Sequence, residues 1–202
     1  MISEGTRLNK FLASCGIGSR RACDTLIQEG GVTLNGEACT NPATRVQDDD
    51  VVRFDGKRVS PRQTTTILFK KPRGYVCSKQ DELGRATIYE LLPPKFQHLN
   101  HVGRLDRDSE GLLVLTNDGE LANRLTHPSN RVEKEYRVTL TAAVDNRDLE
   151  KLIDGVHTPE GRASAKSFKR LSPRRVSIVL ETGLKRQIRE MFKTLGRQVD
   201  KL

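Results

Sequence analysis

Between Gly103 and Gly111 the chain sets Arg104, Asp106, Arg107, Asp108 and Glu110, three acids and two arginines. Leu112, Leu113, Val114 and Leu115 follow and read as a buried strand. A carboxylate held beside a buried sheet is costly unless it is paired or put to use. Carboxylates act as covalent nucleophiles at sugar centres, and pairs of them hydrolyse glycosides as nucleophile and acid. Residue types alone leave three readings open. Asp106 is a nucleophile, or Asp106 works with Asp108 or Glu110 as a two-acid site, or the segment is a surface loop with internal ion pairs.

Two more residues have types that suit such a centre. Tyr136, in Lys134-Glu135-Tyr136-Arg137-Val138, offers an aromatic face of the kind on which unstacked bases rest; a core tyrosine is the competing reading. Arg189 flanks a helical stripe of Leu184, Ile188, Met191, Phe192 and Leu195, from which a guanidinium can reach inward. A guanidinium beside a carboxylate favours its ionised form and fixes its rotamer. The alternative is a solvated helix arginine.

These groups need a scaffold. Strands are expected at 65–69, 112–116, 134–141, 164–171 and 175–181, and helices at 86–92, 119–126, 146–154 and 185–195. Within 134–141, Tyr136, Val138 and Leu140 alternate with charged or hydroxyl residues. Such a strand belongs in an antiparallel sheet with one face buried under helices and the other partly open. The expected class is α+β, with the open face a candidate trough for RNA. Lys166, Lys169, Arg170, Arg174 and Arg175 surround the turn Ser172-Pro173 and read as a phosphate-contacting hairpin tip, with a solvated basic turn as the competing reading. The four histidines are scattered, and none is assigned to catalysis.

Upstream lies a smaller module. Leu8, Phe11 and Leu12 form a short helical stripe, Gly16 and Gly18 break it, and Ser19 offers an N-cap to a second helix carrying Ala22, Leu26 and Ile27. Val32-Thr33-Leu34 reads as a strand, and Asn35-Gly36 and Asp55-Gly56 as hairpin turns. The polar stretch Ser60–Thr64 reads as a linker. The 202 residues carry a formal charge of +9 and a pI near 9.6, a balance suited to a polyanionic partner. Cys15, Cys23, Cys39 and Cys77 lack zinc-site spacing. With no signal peptide or membrane-length apolar run in view, reduced thiols in a cytoplasmic protein are expected.

The string Gly103–Leu113 resembles the catalytic motif of bacterial ribosomal RNA pseudouridine synthases. The resemblance implies that Asp106 is the nucleophile, that Tyr136 in Lys134-Glu135-Tyr136 stacks on the flipped base, and that Arg189 pairs with Asp106. Arg104, Lys185 and Arg186 are then expected to meet RNA, while Leu184 departs from a position where a basic residue is usual. Lys70-Lys71-Pro72-Arg73-Gly74-Tyr75 resembles another motif of the family, with a structural turn as its assignment. Residues 1–61 resemble the S-four-type RNA-binding domain through Arg7–Leu12, Gly18–Ala22 and Gly31–Gly36. This implies an RNA face around Arg7, Lys10, Ser19, Arg20, Arg21 and Asn35. A mainly antiparallel mixed-sheet catalytic domain is expected over 65–202; relatives continue into another strand there, and the end is either natural or trimmed.

Isomerising uridine requires the nucleotide to leave its stack, then a carboxylate, a platform for the loose base and a cation, with no cofactor or metal. The expected partner is ribosomal RNA, of the large subunit by preference, or an assembly intermediate. The expected state is a monomer. A non-catalytic RNA-binding assembly factor is the alternative.

Overall fold

The computed structural model describes residues 5–202, so the first four residues of the expected N-terminal domain lie outside the described residues. The chain separates into two compact units, Met1–Thr65 and Thr66–Leu202. No helix among the described residues is long and apolar enough to cross a membrane.

The first unit comprises β1 (Thr6–Arg7), α1 (Leu8–Ser14), α2 (Arg20–Gln28), β2 (Val32–Leu34), β3 (Glu37–Ala38), β4 (Arg45–Val46), β5 (Val52–Phe54) and β6 (Lys57–Arg58). Leu8 and Leu12 of α1 and Cys23 and Ile27 of α2 close over Val32, Val46 and Val52. The strands form an antiparallel sheet in the order β3-β2-β5-β6, with β1 and β4 as a separate pair. Asn35 and Gly36 take φ of 53° and 92°, as a two-residue turn with both central φ positive requires. The Asn35 carboxamide is absorbed locally. Its Nδ2 donates to Asp50 Oδ1 and its Oδ1 accepts the Val51 N–H, each at 2.8 Å.

Ser19 has a structural task as well, since its Oγ accepts the Ala22 N–H at 3.1 Å and caps α2. Ser19→Ala is expected to cost about 1 kcal/mol, read as a lowered urea midpoint for this unit. An unchanged midpoint would remove the cap from the account.

The second unit comprises β7 (Thr66–Lys71), β8 (Asn100–Val102), β9 (Gly111–Thr116), α3 (Gly119–Thr126), β10 (Lys134–Leu140), α4 (Asn146–Asp154), β11 (Val156–Thr158), β12 (Gly161–Ala163), β13 (Ser167–Ser172), β14 (Arg175–Leu180), α5 (Gln187–Thr194) and β15 (Val199–Lys201). The fold is α+β. Its sheets run β7-β9-β8, β13-β14-β10-β15 and β11-β12, and the pairs between named strands are antiparallel. Val138, Leu140, Val176, Ile178 and Leu180 from the four-stranded sheet pack under Leu149 and Leu152 of α4 and Ile188, Met191 and Phe192 of α5. A smaller core joins Leu113 and Leu115 to Ile88, Tyr89, Leu92 and Leu99.

Two expectations are corrected. The run after the acidic loop is buried only on alternate residues, Leu113 and Leu115, while Leu112 is 67% exposed. β9 has just one face on that core. The helix expected at 86–92 is a single 3₁₀ turn, Ile88–Leu91. It starts where Glu90 Oε1 accepts the Thr87 N–H at 2.7 Å. Pro93 and Pro94, which cannot continue a helix, follow at once.

Candidate active site

The loop joining β8 to β9 carries the acids, and its backbone is braced at every residue from 105 to 109. Cys77 Sγ lies 3.5 Å from the Leu105 carbonyl oxygen. Lys71 Nζ donates to the carbonyls of Asp106 at 2.9 Å and Ser109 at 2.8 Å. The Gly74 N–H donates to Arg107 O at 2.8 Å, and Arg189 Nη2 to Asp108 O at 3.1 Å. Arg107 Nε returns a bond to Gly74 O at 3.1 Å. The Ser109 N–H closes a turn on Asp106 O at 3.1 Å.

Lys71 is the unexpected member. It is 0% exposed, and its third donor goes to Pro72 O at 3.0 Å. A buried ammonium is tolerable when each of its donors is satisfied. Burial draws its pKa below the ordinary lysine value, opposed by the negative charges of Cys77 in its thiolate form, Asp106 and Asp108. The clue in the sequence was parity. Ile67, Phe69 and Lys71 alternate along β7, and Ile67 and Phe69 pack on the smaller core. The Lys70–Tyr75 motif therefore does more than turn the chain, because Lys71, Arg73 and Gly74 hold the acidic loop and the end of the unit. Arg73 Nη2 donates to Asp200 O at 3.0 Å.

The charge on Asp106 reaches Tyr136. Tyr136 is half-buried at the margin of the main core. Burial, and then the charge on Asp106, push its hydroxyl above the usual phenol pKa. Tyr136 thus stays a neutral phenol. The Asp106 charge also reaches Arg186 and Lys71.

Arg189 takes a different partner from the one expected. Its Nε is 3.2 Å from Asp108 Oδ2, and its Nη1 donates to Val199 O at 3.2 Å. Arg186, expected to meet phosphate, forks onto the same carboxylate, with Nη1 and Nη2 each 3.2 Å from Asp108 oxygens. The shift from Asp106 to Asp108 follows from where these groups sit: Asp108 O already accepts Arg189 Nη2, which draws the guanidinium to that residue. Burial raises the Asp108 pKa, but the Arg186 hydrogen bond and the two guanidinium charges outweigh it and hold it below the usual carboxylate range. Arg186 has φ 52°, left-handed backbone for a residue that is not glycine. A cleft of about 350 Å³ lies against this loop, lined by Arg73, Gly74, Arg107, Asp108, Arg189 and Asp200. A larger cleft of about 440 Å³, with Lys79, Asp81, Arg85 and Tyr89 on its walls, has none of the motif acids.

Arg104 and Lys185 are exposed. Lys166 is corrected: it is not open to phosphate, because its Nζ is 2.6 Å from Glu133 Oε1 and 2.7 Å from Glu181 Oε1. In the first unit Arg7, Arg20 and Arg21 are exposed, the latter two in the first turn of α2. There they oppose the helix dipole, an arrangement that an approaching anion relieves.

Comparison with known proteins gives the context. Residues 65–194 match the family model described as RNA pseudouridylate synthase, and residues 6–52 match the S4 domain. A ribosomal large subunit pseudouridine synthase B from Bacillus subtilis is 36% identical, covering 97% of this chain and 83% of its own length. The protein of that name in Haemophilus influenzae is 36% identical over 99% of this chain, which spans 59% of it. An uncharacterized RNA pseudouridine synthase of Mycobacterium leprae is 40% identical over 97% of this chain and 80% of its own. A solved structure entitled "Crystal structure of pseudouridylate synthase" superposes with a TM-score of 0.67 at 28% identity, over 98% of this chain and 86% of that one.

Proposed function

The chain belongs to the RNA pseudouridylate synthase family, and from that premise we propose that it converts a uridine of large-subunit ribosomal RNA to pseudouridine, with Asp106 as nucleophile. The observation carrying this reading is the loop whose backbone is pinned around Asp106, from which the Asp106 charge reaches Tyr136 on β10 and Arg186 at the start of α5. The base–ribose bond at N1 breaks, a bond from the sugar to C5 of uracil forms, and the proton on C5 departs as N1 gains one. Nothing is oxidised. Asp106 attacks the nucleotide at the anomeric carbon or at a ring carbon of the base, and the bond it forms breaks again before product leaves, which returns the free carboxylate. Tyr136 supports the released base with its ring.

Arg189 is a positioning residue in this scheme, acting through Asp108 rather than on Asp106. It clamps the carbonyl and carboxylate of Asp108 and ties them to Val199. The guanidiniums of Arg73, Arg107 and Arg189 around the neighbouring cleft suit a phosphate of the everted nucleotide. Arg104 and Lys185, both exposed, extend that contact, while Arg186 stays with Asp108. In the first unit Arg7, Lys10, Arg20 and Arg21 grip the RNA backbone, beside Ser19 and Asn35, whose side chains shape the surface. The protein works as a monomer in the bacterial cytoplasm, on ribosomal RNA or a precursor particle.

The test is direct. Purified protein is incubated with unmodified transcripts of large- and small-subunit ribosomal RNA, and pseudouridines are mapped. A discrete site in the large-subunit transcript is expected. Conversion confined to the small-subunit transcript would refute the subunit. No conversion in either transcript, or in precursor particles from cells lacking the gene, would refute the activity.

A further inference from the structure

The four-stranded sheet carries cations that the site above leaves unused. Residues directly paired across antiparallel strands project from the same face. Tyr136, Ile178 and Phe168 form one such row across β10, β14 and β13, and they turn toward the core. Arg137, Ser177 and Lys169 form the adjacent row and project from the opposite face. Arg175, paired with Thr139, belongs to that opposite face as well. Arg137, Lys169 and Arg175 are all exposed. Among the described residues no hydrogen bond or ion pair engages their side chains.

The acids of this face are already occupied. Glu133 and Glu181 share Lys166, and Glu135 accepts a short hydrogen bond from Ser177 Oγ. Three cations therefore stand within about two strand spacings, roughly 10 Å, of each other, and they repel one another until something anionic arrives. Of the other residues of the face, Thr139, Ser167, Ser177 and Val179 are small, Lys201 of β15 pairs with Thr139 and is held by Glu110, and none is aromatic. That composition lacks the apolar anchors of a protein interface. It has exposed Arg and Lys, with Ser167 beside them, groups of the kind that meet sugar-phosphate backbone.

We propose that Arg137, Lys169 and Arg175 form a second RNA-docking surface, binding phosphates of the same RNA whose uridine enters the site beside Tyr136 on the other face. The proposal rests on the RNA-directed reading above. Arg170 and Arg174, both exposed at the end of the β13–β14 hairpin, continue the positive strip around the sheet edge. An RNA that touches both faces passes round that edge.

The experiment compares wild-type protein with the triple variant Arg137→Gln, Lys169→Gln, Arg175→Gln. A control, Lys95→Gln, Arg124→Gln, Arg147→Gln, removes three other exposed charges of the same unit. The probe is an unmodified large-subunit ribosomal RNA transcript, bound over a range of KCl concentrations, with thermal midpoints confirming that each variant folds. The row variant is expected to bind at least tenfold more weakly near about 150 mM KCl. Its slope of log affinity against log salt should flatten by about two to three. The control should lose less than threefold, and turnover at saturating RNA should stay within twofold of wild type. Unchanged affinity and slope, or an equal loss in the control, overturns the proposal. A loss seen only on assembly particles and not on naked transcript overturns it too, in favour of a protein partner. Wild-type protein that binds RNA through this row but converts no uridine sinks the catalytic reading instead and leaves the surface standing.

Discussion

Asp106→Asn is expected to abolish conversion while leaving the protein folded and its RNA affinity within about threefold of wild type. The amide has nearly the shape of the carboxylate but cannot attack as an anion, and removal of a nucleophile costs at least about a thousandfold in rate. The loop should keep its form, because Lys71 grips the main-chain carbonyl at position 106 and not the side chain. Single-turnover conversion of a saturating transcript is the measurement. Asp108→Asn is its companion. Asp108 already spends its carboxylate on Arg186 and Arg189, so it should lose far less, about tenfold, through slackened positioning. Equal losses in the two variants would restore the two-acid reading. More than a tenth of the wild-type rate in Asp106→Asn would dismiss Asp106 as nucleophile.

Lys71→Met carries the second large effect, and it strikes stability and activity together. Methionine fills much the same volume but strands the carbonyls of Pro72, Asp106 and Ser109, which share one donor group. Buried acceptors left without partners cost about 1–3 kcal/mol each. Relief from holding a buried ammonium, and the turn bond from the Ser109 N–H to Asp106 O, offset part of this. A net loss of about 3 kcal/mol is expected, which lowers the thermal midpoint of a unit this size by roughly 6–12 °C. Conversion should fall at least tenfold even at temperatures where the variant remains folded, since the loop drifts from its productive geometry. Lys71→Arg should not restore it, because a planar fork cannot direct three donors at these three carbonyls. A thermal midpoint within about 2 °C of wild type would show that the lysine is dispensable to the loop.

Much of this was legible in the chain because the signals are local. Asp118 and Asp145 accept backbone N–H groups at the starts of α3 and α4, and those helices span the expected 119–126 and 146–154. The alternation in 134–141 put Val138 and Leu140 in the core and left Tyr136 at its margin, as β10 shows. The α+β class followed from the same patterns. What escaped is non-local. Arg189 meets Asp108 across 81 residues of sequence, and Lys71 meets Asp106 across 35. Neither pairing leaves a periodic trace. The exposure of Leu112 escaped for a related reason, since a run of four apolar residues does not tell how many faces of its strand are covered. β8, β11, β12 and β15 are three residues each, too short to impose a period.

With the carbonyls of residues 105–109 all engaged before any substrate arrives, that segment has little freedom left to surrender on binding. Its ordering entropy was lost when the chain folded. The adjustment at encounter falls on the nucleotide, which must come to a fixed post. An RNA already strained or weakly paired around the target is the one this enzyme can turn over fastest.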